Sequence, residues 1–125
     1  MSEPRKSRVL IADDEPNIVI SLEFLMKKEG FEVAVAGDGE AALQKAAEFA
    51  PDLILLDVMM PKKSGYEVCE ALRADPARAG VKIIMLTAKG RETEVTKGLA
   101  LGADAYVTKP FSTKDLVVRI KTLLA

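Results

Sequence analysis

The chain has 125 residues, enough for one domain and too few for two. Apolar residues make up 49% of it, and 18 basic against 19 acidic residues leave a net charge of -1, without the basic excess that duplex DNA binding requires. The absence of histidine excludes His-based triads, His metal sites and a histidine phosphocarrier, and no run approaches the ~18 apolar residues of a membrane span.

In chain order, residues 1–7 are polar and read as a flexible tail, in which Arg5 and Lys6, with Arg8, form a solvated basic cluster rather than a binding arm. This N-terminus lacks the apolar segment of a signal peptide, so a cytoplasmic location is expected. Residues 8–12 form a short buried strand that runs into Asp13-Asp14-Glu15. Pro16 suits a first helical turn, and Ile18, Leu22, Leu25 and Met26 recur on one face until Gly30 stops the helix. Residues 31–36 alternate as a second strand, and Asp38 is placed to cap a helix that turns Ala42, Leu43, Ala46 and Ala47 inward.

Residues 53–56 are continuously apolar, as in a central parallel strand, and end at Asp57. Ser64 and Glu67 fit a capping box for a third helix whose stripe is Val68, Cys69 and Leu72. Cys69, the single cysteine, reads as buried filler and fits a reducing compartment. Residues 81–86 form a fourth strand ending at Thr87, and residues 91–101 a fourth helix, weakened by Gly98 and capped by Gly102. Residues 105–108 form the last strand, followed by Lys109-Pro110-Phe111. Ser112 then caps a helix lined by Leu116, Val117, Ile120, Leu123 and Leu124. Five strands alternating with five helices predict an α/β fold: a parallel sheet with helices on both faces and right-handed crossovers.

Asp13, Asp14, Asp57, Thr87 and Lys109 all fall at the carboxyl ends of these strands, the edge at which open α/β sheets bind ligands. Each has an ordinary reading alone: Asp14 as a helix cap, Asp57 and Thr87 as strand ends, Lys109 as a surface lysine. Their joint placement favours a site. Three carboxylates brought together repel unless a cation sits among them. Mg²⁺ fits, with direct oxygens from Asp14 and Asp57 and with Asp13 holding a metal-bound water. A carboxylate can also accept a phosphoryl group, with Lys109 neutralising its oxygens and the Thr87 hydroxyl donating to them. No phosphate-cradling glycine loop accompanies these residues.

The segments VLIADDEPNI (9–18), PDLILLDVMMPKKSGYEV (51–68), IIMLTA (83–88), GADAYVTKPF (102–111) and KDLVVRIKTLL (114–124) resemble the receiver domain of bacterial two-component response regulators, over about residues 8–124. The resemblance implies a receiver domain over 8–125 and a flavodoxin-like sheet of order 2-1-3-4-5. It implies that Asp57 is the phosphoacceptor, taking its phosphoryl group from a phosphohistidine on a sensor histidine kinase or histidine phosphotransfer protein. It implies Mg²⁺ held by Asp14, Asp57 and the Met59 backbone carbonyl, with Asp13 acting through water. Lys109 and Thr87 would contact the phosphoryl group, Thr87 and Tyr106 would form a switch pair, and Pro110 would follow Lys109 through a cis bond. Met59 and Lys89 border the path of hydrolytic water in the family; neither is a carboxylate here, which leaves the lifetime of the phosphorylated form open. Output would pass to a separate effector protein or to a C-terminal effector domain beyond this chain, with no direct nucleic acid or membrane binding by the chain itself. A pseudo-receiver and a Mg²⁺-dependent phosphohydrolase are the competing readings. The second normally needs a further acid/base residue near the nucleophile, where position 59 is Met.

Overall fold

Every second residue of a strand faces the same side of a sheet, and the central strands here are apolar on both sides. In the computed structural model, which describes residues 7–78, 80–88, 96–97, 99–109 and 111–125, five strands form one parallel sheet of order β2-β1-β3-β4-β5. They are β1 (Arg8–Ala12), β2 (Glu32–Ala36), β3 (Leu53–Asp57), β4 (Lys82–Ala88) and β5 (Ala105–Lys109). Four helices have defined bounds: α1 (Pro16–Lys28), α2 (Gly39–Phe49), α3 (Gly65–Ala74) and α4 (Thr113–Leu124). Residues 96–97 and 99–100 are also helical, where the fourth predicted helix falls; the rest of that prediction, residues 1–6 of the expected tail, Lys89 and the Pro110 bond lie outside the described residues.

Strand alternation divides the core into two layers. Leu10, Ile54, Leu56, Ile83 and Met85 meet Ala42 and Ala46 of α2 and Val68, Cys69 and Leu72 of α3. Val9, Ile11, Leu53, Leu55, Ile84 and Leu86 meet Leu22 and Met26 of α1 and Leu116 and Ile120 of α4. Each fully buried aliphatic side chain contributes about 1.5–3 kcal/mol of transfer free energy. Asp38 accepts from the Ala41 N–H at 2.8 Å and Ser112 Oγ from the Asp115 N–H at 3.3 Å. Ser64 and Glu67 close the expected capping box.

Two expectations need correction, and one alternative reading falls. Ala47 is exposed, because the buried stripe of α2 narrows to Gly39, Ala42 and Ala46. The helix-cap reading of Asp14 fails: Glu15 is the N-cap of α1, with no side-chain cap bond. Strands β4 and β5 run on through Thr87 and Lys109, since backbone pairing of Thr87 with Thr108 and Ala88 with Lys109 continues past the last apolar residue.

Candidate functional site

Order 2-1-3-4-5 places the reversal of strand order between β1 and β3, and the crevice lies above it. Ala12 pairs with Leu56, so Asp13 and Asp57 leave neighbouring strands at the same level. The Asp13 N–H bonds the Ala36 carbonyl at 3.1 Å, and its Oδ1 accepts from the Glu15 N–H at 2.9 Å, which fixes the turn into α1. Beyond Asp57 the Val58 N–H bonds the Leu86 carbonyl at 3.1 Å, so the acceptor candidate is held from both sides. Asp14, Asp57, Met59, Thr87 and Lys109 line one pocket of about 350 Å³.

Lys109 Nζ stands 2.9 Å from Asp13 Oδ2, 3.0 Å from Glu15 Oε1 and 3.6 Å from Asp57 Oδ1. Burial alone would lower its pKa, but these carboxylates outweigh burial and hold it above its ordinary value. Asp57 is 6% exposed. Burial, reinforced by the Asp13 charge and only partly offset by Lys109 and the Met59 N–H, raises its pKa to about 7. A carboxyl group so placed gains from any added cation that favours its charged form.

One oxygen from each of Asp13, Asp14 and Asp57 lies within 4.8 Å of the others, with Asp13 and Asp57 buried and Asp14 exposed. Opposite ligands of an octahedral Mg²⁺ stand about 4 Å apart, so a cluster within 4.8 Å suits one ion with some of the carboxylates bound directly and another through water, and the open side at Asp14 leaves room for water ligands. Asp13 Oδ2 is buried and, despite its closeness to Lys109, accepts no well-formed hydrogen bond; it can accept one from a metal-bound water. Thr87 Oγ1 is likewise buried, with no hydrogen-bond partner among the described residues. Such a hydroxyl costs stability for as long as it lacks a partner, and its donor is free to meet a ligand oxygen.

The model of the response regulator receiver domain matches residues 9–121. The chain is a response regulator receiver domain. Over 119 residues it is 47% identical to the DNA-binding response regulator MtrA of Mycolicibacterium smegmatis, covering 95% of this chain and 51% of MtrA. Over 117 residues it is 47% identical to the alkaline phosphatase synthesis transcriptional regulatory protein PhoP of Bacillus subtilis, covering 94% of this chain and 48% of PhoP. Among solved structures, the chemotaxis response regulator CheY4 of Vibrio cholerae superposes with a TM-score of 0.89 at 32% identity, over 96% of this chain and 100% of CheY4. The receiver thus spans about half the length of MtrA and PhoP. A receiver is a phosphoacceptor signalling switch, and among the described residues no helix is long and apolar enough to cross a membrane.

Within this receiver, Asp13, Asp14, Asp57, Thr87 and Lys109 converge as the sequence indicates, and Met59, 56% exposed, also lines the pocket. Tyr106 does not join them. It lies on β5 opposite Met85, on the same sheet face as Thr87, and lines a separate groove with Phe111 and Arg119. Sequence reasoning missed Glu15. Its acidic character was visible, but its partner Lys109 is 94 residues away and only the fold brings the two to 3.0 Å.

Proposed function

We propose that Asp57 accepts a phosphoryl group, in a Mg²⁺-dependent reaction, from a phosphohistidine of a sensor histidine kinase or a histidine phosphotransfer protein. The observation that carries this is a buried carboxylate at the floor of a pocket that also holds, among the described residues, three further carboxylates, one ammonium group and an unspent hydroxyl. An Asp57 Oδ forms a bond to phosphorus while the donor's N–P bond breaks. The electron pair stays on the imidazole nitrogen, which takes up a proton from solvent, and an acyl phosphate remains. Lys109 turns from its carboxylate partners toward the new phosphoryl oxygens, and Thr87 Oγ1 donates its free hydrogen to one of them. Asp14, Asp57 and the Met59 backbone carbonyl would hold Mg²⁺, with Asp13 acting through a bound water. That ion, when bound, supplies positive charge against the transferring oxygens.

The phosphorylated form then alters its partner-binding face through Thr87 and Tyr106. Output passes to an effector protein or to an effector domain of the kind the longer, DNA-binding relatives carry. The receiver itself turns over no external substrate and is not an enzyme in the ordinary sense.

Incubation with Mg²⁺ and acetyl phosphate should add one phosphoryl group, read by intact-protein mass spectrometry. EDTA or Asp57→Asn should abolish it, and the adduct should be labile to hydroxylamine. Labelling that survives in D57N, or without any divalent ion, would overturn the assignment and favour a pseudo-receiver.

A further inference from the structure

The loop 58–64 joins β3 to α3 and carries Met59, whose N–H lies 3.4 Å from Asp57 Oδ1. It is held at two points, both by glycine. At its end the Gly65 N–H bonds the Val58 carbonyl at 2.9 Å, and a Cβ on Gly65 would overlap the Asp57 carbonyl oxygen and lie 2.9 Å from Val58 Cα. At its crown the first residue of α2, Gly39, gives its N–H to the Pro61 carbonyl at 3.3 Å, which also accepts from the Lys63 N–H at 2.8 Å. A Cβ on Gly39 would overlap the Lys63 carbonyl oxygen and Cβ and lie 2.7 Å from the Lys63 carbonyl carbon. Two of those three atoms are backbone, so the loop itself would have to move. Around this contact Lys62 takes a left-handed φ of 69°, and its Nζ is 3.8 Å from Asp38 Oδ2, on the residue that caps α2. A non-glycine residue holds that φ only where its surroundings impose it. Gly37, two residues earlier, has nothing within 4 Å of a built Cβ.

We infer that Gly39 is a positioning residue for the phosphorylation site: it seats the start of α2 directly on the Pro61–Lys63 backbone and so sets where the Met59 carbonyl stands relative to Asp57. The inference rests on Met59 supplying a metal ligand, as proposed above. It assigns a role in the chemistry to a residue that touches none of the reacting atoms. Widening the α2–loop contact displaces one ligand of an octahedral ion that tolerates little distortion. The loss falls on metal affinity, and through it on phosphorylation at limiting Mg²⁺.

The test compares Gly39→Ala with Gly37→Ala in the full chain, after circular dichroism confirms folding. Mg²⁺ affinity is read by calorimetry, and acetyl phosphate labelling is followed across Mg²⁺ concentrations. G39A should bind Mg²⁺ about tenfold more weakly, ~1.4 kcal/mol, and need correspondingly more Mg²⁺ for half-maximal labelling, with the rate at saturating Mg²⁺ largely recovered. G37A should match wild type. A folded G39A with wild-type Mg²⁺ affinity overturns the inference. If G39A does not fold, hydrogen exchange of the wild type decides, because coupling is reciprocal: Mg²⁺ should slow exchange of the Gly39 amide at least threefold, and an unchanged Gly39 amide overturns the inference. If wild type binds no Mg²⁺ at all, the metal reading fails separately. The positioning contact is then judged by the amide NMR shifts of residues 59–64 in metal-free G39A, which must exceed those of G37A.

Discussion

The two ends of the sheet are built from the same residue types to opposite effect. At the amino end, charges are matched. The Arg8 N–H bonds Asp52 Oδ2 at 2.8 Å, its Nε pairs with Glu32 at 3.1 Å, and its Nη1 donates to the Phe49 carbonyl at 3.0 Å. Arg73 does the same for the starts of β4 and β5, bonding the Val81 and Gly102 carbonyls and pairing with Asp104 at 2.9 Å. At the carboxyl end, among the described residues, Asp13, Glu15 and Asp57 share the Lys109 ammonium group, Asp14 lies beside them, and Thr87 Oγ1 has no partner. The first arrangement stabilises the fold as it stands. The second leaves favourable interactions unmade, which the proposed ion and phosphoryl group would complete, and a switch requires such a difference between its two states.

The sharpest way to break this comparison is to remove one carboxylate from each end. Asp52→Ala leaves the part-buried Arg8 N–H without its acceptor, at a cost of about 1–3 kcal/mol, or a Tm lower by roughly 5–15 °C. Asp57→Asn should do the reverse in EDTA at pH 7.5, raising Tm by a few degrees, because it removes a buried charge that its neighbours repel. Thermal melts of the two variants decide it. A fall in Tm for D57N would mean that attraction to Lys109 outweighs burial and repulsion.

The same contrast predicts a pH dependence. The folded pKa of Asp57 is about 7, above the ordinary 3.8, so the native state binds its proton more tightly than the unfolded chain does. Its stabilising contribution is therefore full below about pH 4 and is lost as pH rises through about 7, with a slope of at most ~1.4 kcal/mol per pH unit. Urea unfolding in EDTA between pH 5 and 7.5 should show wild type losing stability relative to D57N. Parallel curves would show that Asp57 is not burdened by its surroundings. Saturating Mg²⁺ should also remove the difference, since the ion favours the charged form.

Much of this was legible because core packing writes itself into the order of residues. The apolar run 53–56 can serve only a strand covered on both faces, and the alternation of Phe31, Val33 and Val35 matches their shared packing against the α1 and α4 layer. Asp38, Ser64 and Ser112 are the caps observed, because a short polar side chain before an apolar stripe has few other uses. The site residues were visible as polar side chains at strand ends, and the receiver resemblance supplied the strand order. What remained hidden depends on distance across the fold. Glu15 looks like any acid before a helix until Lys109 closes over it, and the crowding at Gly39 exists only once Lys63 is packed against it. Ala47 was misplaced because alanine suits both sides of a helix and gives little amphipathic contrast.

The smallest expected effect tests where the pocket ends. Tyr106 is 37% exposed, and its strand neighbours Ala105 and Val107 pack into the core on the opposite face. Tyr106→Phe keeps the ring and removes only a hydroxyl at the edge of the sheet, so Tm should change by no more than about 0.5 kcal/mol, roughly 2–3 °C. Labelling by acetyl phosphate should stay within about twofold of wild type, since no atom of Tyr106 lines the Asp57 pocket. Thr87→Ala should behave differently, because it removes a buried hydroxyl that does line it and whose hydrogen is free to follow the phosphoryl group. The two residues project from the same sheet face on adjacent strands, which is the placement the proposed switch pair needs. The separation to look for is normal chemistry with altered response: in Y106F, amide NMR shifts on phosphorylation should persist around Asp57 and change along β5. If Y106F slows labelling as much as T87A does, the hydroxyl belongs to the chemistry and the boundary drawn between pocket and output edge is misplaced.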